Sequence, residues 1–213
     1  MIRWLYERSL ARSIVLLPGH ICFMITGEDV ASAPGKLSEV TAWCIDISLS
    51  VQQKAAGGTG GGKRAIEGVT FHISTADPGA LSPYLGDIRG IASTARLSLH
   101  IGEKSETAGE GMEVCVAVGK SGREEIAWCI RRMAEEKMEP GEVSEAAIEE
   151  RLTFHYHPDL VIKTGGSHLT DFLIWQSVYS ELFFSDVNWP WFRKTDFLRA
   201  LRDYQNRVRR FGR

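Results

Sequence analysis

The sequence predicts an α/β fold, a mostly parallel sheet with helices on both faces. Strand-like and helix-like stretches alternate along the whole chain, the pattern that builds βαβ units. The first apolar run, HICFMI at His20 to Ile25, is continuous instead of alternating, as expected of a strand covered on both sides. Length sets the scale: 213 residues fill one sizeable core and are few for two, so a single domain over 1–213 is expected.

Taken in order, Met1 to Arg12 is a basic, helix-compatible lead-in carrying Trp4, Leu5 and Tyr6, suited either to packing on the domain or to touching a membrane surface. The strand HICFMI is followed by the turn-rich TGEDVASAPGK. Leu37, Val40, Cys44, Ile47 and Val51 then recur at helical spacing, which predicts an amphipathic helix. GGTGGGKR at Gly57 to Arg64 meets half of a phosphate-binding P-loop pattern. Arg64 stands where that loop needs a Mg²⁺-binding hydroxyl, and the glycines follow a helix where a P-loop follows a strand, so the stretch reads as a flexible linker. Val69 to Ser74 reads as a strand, Leu81 to Ser93 as a helix, and Arg96 to Ile101 and Met112 to Val118 as strands. Ser121 and Glu124 have capping-box spacing ahead of a helix through Ile126, Ile130 and Met133. A helix from Val143 to Leu152 precedes the strand Leu160 to Lys163. The last stretch holds a Ser/Gly turn, an aromatic-rich segment, a Trp-Pro break and a final amphipathic helix with Phe197, Leu201, Tyr204 and Val208 on its apolar side.

Composition narrows the class. With 44% apolar and 24% charged residues, this is an ordinary globular protein. The four cysteines form no CxxC pair and have no histidine at zinc-ligand spacing, so they read as reduced core residues of a cytoplasmic protein. Ile14 to Ile25 is broken by Pro18-Gly19-His20, too short to span a bilayer, and no signal-peptide cleavage pattern follows it. Net charge is −2, yet Arg193 to Arg213 holds eight Lys or Arg against Asp196 and Asp203. Such a tail suits an anionic partner or a merely solvated helix face. Parallel α/β sheets bind ligands beyond the carboxyl ends of their strands. Three loops become the candidate site: Thr26 to Asp29, Ser74 to Asp77, and Lys163 to His168.

The stretch from Asp159, DLVIKTGGSHLTDFLIWQSVYSELFFSDVNWPWFRKTDFLRALRDYQNRVRRFGR, resembles the C-terminal signature of the cis-prenyltransferases, the undecaprenyl and dehydrodolichyl diphosphate synthases. Their usual form is DLxIRTxGExRxSxFLxWQxxYxELxFxxxxWPxFxxxDFxxALxxYxxRxRRFG. LLPGHICFMITG is similar to the family's PxHIAxIMDGN, VTFHISTADP to its VTxYxFSTEN, and SGREEI to its GGRxEI. The resemblance spans nearly the whole chain. It implies a six-stranded parallel sheet wrapped by helices around a hydrophobic tunnel, assembled as a dimer. It also implies Mg²⁺-dependent condensation of isopentenyl diphosphate onto an allylic diphosphate.

Departures from the pattern concentrate on the metal and allylic half of the site. Thr26 stands where the family has the Asp that holds Mg²⁺, and a neutral hydroxyl is a poor substitute for a carboxylate on a hard dication. Glu28, Asp29 and Val30 replace a phosphate cradle, and Ala76 and Asp77 replace the Glu-Asn pair of STEN. Lys163 takes the place of the RTGG Arg and loses its planar fork, leaving a candidate phosphate contact. Ser167 replaces the following Glu, and one residue is missing before Phe172, which removes a second phosphate-binding Arg. Glu181 survives as a candidate metal contact or a simple helix-face carboxylate, and His168 reads as polar loop filler. Arg210, Phe211 and Gly212 match the family's Arg-x-Gly tail.

This combination resembles the non-catalytic, Nogo-B-receptor-type subunit of heteromeric cis-prenyltransferases, whose Arg-x-Gly tail reaches the diphosphate of the catalytic partner. The resemblance implies an accessory subunit without catalytic residues of its own, Arg210 and Gly212 binding isopentenyl diphosphate in trans, and Mg²⁺ held mainly by the partner. The expected partner is a catalytic cis-prenyltransferase chain, with peripheral membrane contact and no nucleic acid. An active homodimeric synthase with a rearranged site, and a binding protein that keeps only the fold, are the alternatives. Trp175, Tyr179, Phe183, Phe184, Trp189, Trp191 and Phe192 are expected to form the dimer core.

Overall fold

A computed structural model describes residues 2–56, 65–102, 104–169 and 173–210; the glycine-rich stretch Gly57 to Arg64 lies outside the described residues. Seven strands form one sheet: β1 (His20–Thr26), β2 (Gly68–Ser74), β3 (Arg96–Ile101), β4 (Lys104–Ala108), β5 (Glu113–Val118), β6 (Leu160–Thr164) and β7 (Glu181–Ser185). Their spatial order is β4-β3-β5-β2-β1-β6-β7. All pairings are parallel except β3 with β4, an antiparallel edge hairpin. The expected parallel α/β architecture is met, with β4 added at one margin. Neither β4 nor β7 was expected from the sequence: KSETA has no large apolar residue, and ELFFS lies hidden in the aromatic-rich stretch.

Seven α-helices accompany the sheet among the described residues: α1 (Ile2–Ser13), α2 (Gly27–Ser32), α3 (Lys36–Ala56), α4 (Leu85–Arg89), α5 (Gly122–Glu135), α6 (Glu145–Glu149) and α7 (Lys194–Arg210). The helix expected over Leu81 to Ser93 is instead a 3-10 turn at Pro78–Tyr84, the short α4, and a second 3-10 turn at Gly90–Ser93. Pro83 cannot donate an amide hydrogen inside a helix, and Gly86 and Gly90 weaken its continuation. The helix expected over Val143 to Leu152 shrinks to α6. Ser121 does precede α5, but its hydroxyl makes no capping bond, so the expected capping box is not formed there.

Strand alternation sorts side chains onto two unlike faces. Ile21, Phe23 and Ile25 of β1 and Val69, Phe71 and Ile73 of β2 point into the main core beneath α1, α3 and α7. There Phe23 packs against Phe71, Trp189, Phe192 and Phe197 with ring centroids 5.5–6.2 Å apart. These rings fill the core on this face around Phe23. On the opposite face Cys22, Met24, Cys115, Ala117 and Val161 meet Phe154 and Leu173 in a smaller cluster. All four cysteines are buried free thiols, and burial pushes those of Cys22 and Cys115 up to about 12.

The expected aromatic dimer core divides accordingly. Trp189 and Phe192 are fully buried within the chain, whereas Tyr179, Phe184 and Trp191 face outward. Trp189 and Phe192 follow β7 directly, and the Trp-Pro break turns them inward over the sheet.

Candidate functional site

Because β6, β1 and β2 are parallel neighbours, Thr164, Thr26 and Ser74 end at one edge of the sheet, and the three expected loops gather there. A fourth loop, after β5, joins them. At Gly119 φ is +65°, and a Cβ would lie 2.7 Å from Cγ of Pro78, so glycine lets this loop approach the one after β2. His72, buried in β2, donates from Nε2 to the Lys120 carbonyl at 2.6 Å and ties that loop to the sheet.

The replaced positions are occupied with chain capping. Thr26 is the N-cap of α2. Its hydroxyl oxygen accepts the Asp29 amide at 3.1 Å, while its own amide and hydroxyl both donate to Oδ2 of Asp29 at 2.9 Å. This is a reciprocal capping box. Asp77 caps the next turn, accepting from the Gly79 amide at 2.9 Å, while Thr75 Oγ1 bonds the Asp77 backbone. Ala76 is exposed and Glu28 points to solvent. Lys163, half-buried, turns its ammonium back onto the Thr164 carbonyl at 2.9 Å. Ser167 and His168 are exposed. Gly165, at φ +70°, donates its amide to the Ser185 and Val187 carbonyls and abuts Asn188. The loops at this end carry three carboxylates, Glu28, Asp29 and Asp77, and two cations, Lys120 and Lys163. That balance disfavours a diphosphate.

Glu181 is not brought to this end. It opens β7, level with Leu160, and pairs with Arg207 of α7 at 3.2 Å; Arg207 also donates to the Leu182 carbonyl and pairs with Asp203 at 2.8 Å. Since β6 and β7 are five residues long and parallel, Glu181 and Arg207 sit about 13 Å below the strand ends. α7 therefore runs down the sheet, from Asn188 beside Gly165 to Arg207 beside Glu181. Arg210 closes α7; its side chain and all of Gly212 lie outside the described residues.

Do these residues fit Mg²⁺? A hard dication wants several oxygen anions converging on it. Oδ2 of Asp29 is engaged by Thr26, Glu181 is held by Arg207, and no group of three or more His, Cys, Asp or Glu among the described residues could hold a metal. The donor set does not fit the ion.

A polar cluster that sequence spacing could not reveal lies on the thinner face. Glu125 is buried, accepting the Thr153 and Phe154 amides at 2.6 and 3.3 Å and the Gln176 side-chain amide at 3.0 Å; Gln176 also donates to the Phe154 carbonyl. It joins α5 to the Trp175-Gln176 segment, and its partners are too far apart in sequence to read as a pattern. At the lower end, His20 stacks on Tyr156 and bonds Thr70, while Asp159 accepts the Gly19 and His20 amides. Burial lowers the His20 imidazole to about 4, against a weaker upward pull from Asp159.

The fold and this end of the sheet define a parallel α/β protein whose ligand-side loops are closed by their own caps. A family model described as "Putative undecaprenyl diphosphate synthase" matches residues 76–212. The isoprenyl transferase of Thermus thermophilus is 32% identical, with 99% of this chain and 95% of the relative aligned. A tritrans,polycis-undecaprenyl-diphosphate synthase (geranylgeranyl-diphosphate specific) of Thermoplasma acidophilum is 33% identical over 84% of this chain and 77% of its own length. The lavandulyl diphosphate synthase of Lavandula x intermedia, crystallised with dimethylallyl diphosphate, shares the fold with a TM-score of 0.63 at 19% identity, covering 89% of this chain and 95% of that one. The chain belongs to the cis-prenyltransferase family. Its alignment with the Thermus protein runs over 250 positions against 213 residues here, so the relative carries stretches that this chain lacks.

Proposed function

We propose that this chain is the accessory, catalytically deficient subunit of a heteromeric cis-prenyltransferase that makes long-chain polyprenyl diphosphate, the precursor of a glycosyl carrier lipid. The observation that carries the reading is the Thr26–Asp29 capping box: the position that should present a metal-binding carboxylate is spent on starting a helix. The course of α7 supports it further, because the helix delivers its basic end to the edge of the sheet away from the chain's own candidate site. A tail leaving there is better placed to serve a neighbour, with Arg210 and Gly212 completing the partner's isopentenyl diphosphate pocket and Mg²⁺ held by that partner. Outward-facing Ile174, Val178, Tyr179 and Phe184 offer the apolar surface such a partner would cover. Among the described residues no helix is long and apolar enough to cross a membrane. A cytoplasmic placement, peripheral to the bilayer, is part of the same proposal.

The purified chain should not incorporate labelled isopentenyl diphosphate into an allylic diphosphate with Mg²⁺ present, while co-purification from native cells should recover a second cis-prenyltransferase chain. Turnover by the lone chain would overturn the reading. One observation favours the alternative, an active homodimer: the Asp29 carboxylate lies within hydrogen-bond reach of Thr26, at the tip of β1. That alternative requires turnover by the lone chain and its loss in Asp29→Asn.

A further inference from the structure

We propose that the outer faces of α1 and α7 form a docking surface for an anionic lipid bilayer. This goes beyond the subunit assignment and does not depend on it. The inner side of α1 is anchored: Leu10 and Ile14 lie in the main core, and Gln205 of α7 accepts the Val15 and Leu16 amides at 2.7 and 2.9 Å. Its outer side repeats Trp4, Arg8 and Arg12 at four-residue intervals, with Leu5 alongside, so these four residues share one exposed stripe. Trp4 and Leu5 are more than half exposed, an unusual cost for large apolar side chains that sit on an otherwise well-anchored helix. The Arg8 guanidinium stands 5.1 Å from the Trp4 ring.

α7 continues the same chemistry. Arg199 lies 5.6 Å over the Tyr6 ring, and Arg202 is exposed nearby, close enough to Tyr6 to help hold its hydroxyl below the usual phenol range. Against Arg8, Arg12, Arg199 and Arg202 these two helices carry three carboxylates: Asp196 pairs with Arg199, Asp203 pairs with Arg207, and Glu7 lies on α1 beside Arg8. A basic face therefore stands on a chain of net charge −2.

Three aromatic or aliphatic tips framed by arginines are too few to make the apolar centre of a stable protein interface. They match the requirement of an interfacial helix: apolar tips to enter the headgroup boundary, and guanidinium groups to meet lipid phosphates. The surface lies on the main-core side of the sheet, whereas Ile174, Val178 and Tyr179 flank the thinner cluster on the other side, so bilayer and protein partner need not compete.

Sedimentation with sucrose-loaded vesicles tests this on the whole chain alone. The wild type should co-sediment with vesicles of equal parts phosphatidylcholine and phosphatidylglycerol, more weakly as salt rises, and not with pure phosphatidylcholine. The pairs Trp4→Ala with Leu5→Ser, and Arg8→Glu with Arg12→Glu, should each weaken binding about tenfold or more, with far-UV circular dichroism unchanged. Trp128→Ala, which removes a similar Trp-Arg pair from α5, should leave binding intact. Failure of the wild type to bind, equal binding to pure phosphatidylcholine, or unaltered binding by both pairs would overturn the proposal.

Discussion

The two ends of the sheet are built from the same strands and do different work. At the upper end, where β1, β2 and β6 finish, polar side chains satisfy their own loops: Thr26 with Asp29, Asp77 with Gly79, Lys163 with the Thr164 carbonyl. At the lower end, polar groups reach across the chain. Asp159 holds the entry to β1, Arg207 joins α7 to β7, and His20 bridges to Thr70 and Tyr156. The difference teaches where a function can have gone. At the upper end, Thr26, Asp29 and Asp77 are taken up by caps of their own loops, while the end that gathers distant elements fixes the direction in which the basic helix leaves.

The largest effect expected from that contrast is at Arg210. In the reconstituted two-chain complex, Arg210→Ala should leave assembly intact and lower turnover by roughly 2–4 kcal/mol in transition-state terms, the worth of a single preorganised donor. Steady-state kinetics on wild type and variant read this directly, and an unchanged rate and KM for isopentenyl diphosphate would reduce the tail to a solvated helix end.

Next comes His20. Its ring is neutral in the fold with a pKa of about 4, against 6.5 in the unfolded chain. Between those values the unfolded chain binds the proton more readily, so this contribution is complete above pH 6.5 and is lost as pH falls toward 4. It amounts to at most about 3 kcal/mol. Urea unfolding across that range should show the loss, and His20→Asn should flatten it.

A smaller change is expected at Thr26. Thr26→Ala removes the cap and should cost about 1 kcal/mol. Thr26→Asp should restore no prenyl transfer, because it sets a second carboxylate beside Asp29 without rebuilding a cationic cradle; turnover in that variant would mean the upper end is nearer to a working site than its hydrogen bonds indicate. The smallest effect belongs to Asp77→Ala, an exposed cap of one 3-10 turn, which should lower the unfolding free energy by about 0.5 kcal/mol or less, read from urea unfolding.

The parallel sheet was legible because its physics is local: HICFMI is apolar without a break, and β2 and β5 share that character. β4 was not, since nothing in KSETA is buried and only its pairing with β3 makes it a strand. The candidate loops were legible from strand order, but their internal chemistry was not. Asp29 read as a charge that would repel phosphate, whereas it is the second half of a cap. Ser121 and Glu124 had capping spacing, yet Glu125, one position on, is the acid that the fold uses, drawn inward by amides of residues 153 and 154. Glu181 illustrates the same limit: its position within a motif says nothing about which end of a strand it occupies.

The antiparallel β4 has a consequence for solubility. A parallel sheet that ended at β3 would present a half-apolar margin ready to template another strand. β4 covers that margin with a short strand exposed along its whole length, carrying Lys104 and Glu106, the latter clamped by Arg89 at 2.6 Å. Charged, brief and wet, it is a poor seed for edge-to-edge growth, so copies of this chain are steered away from stacking into fibrils through that side.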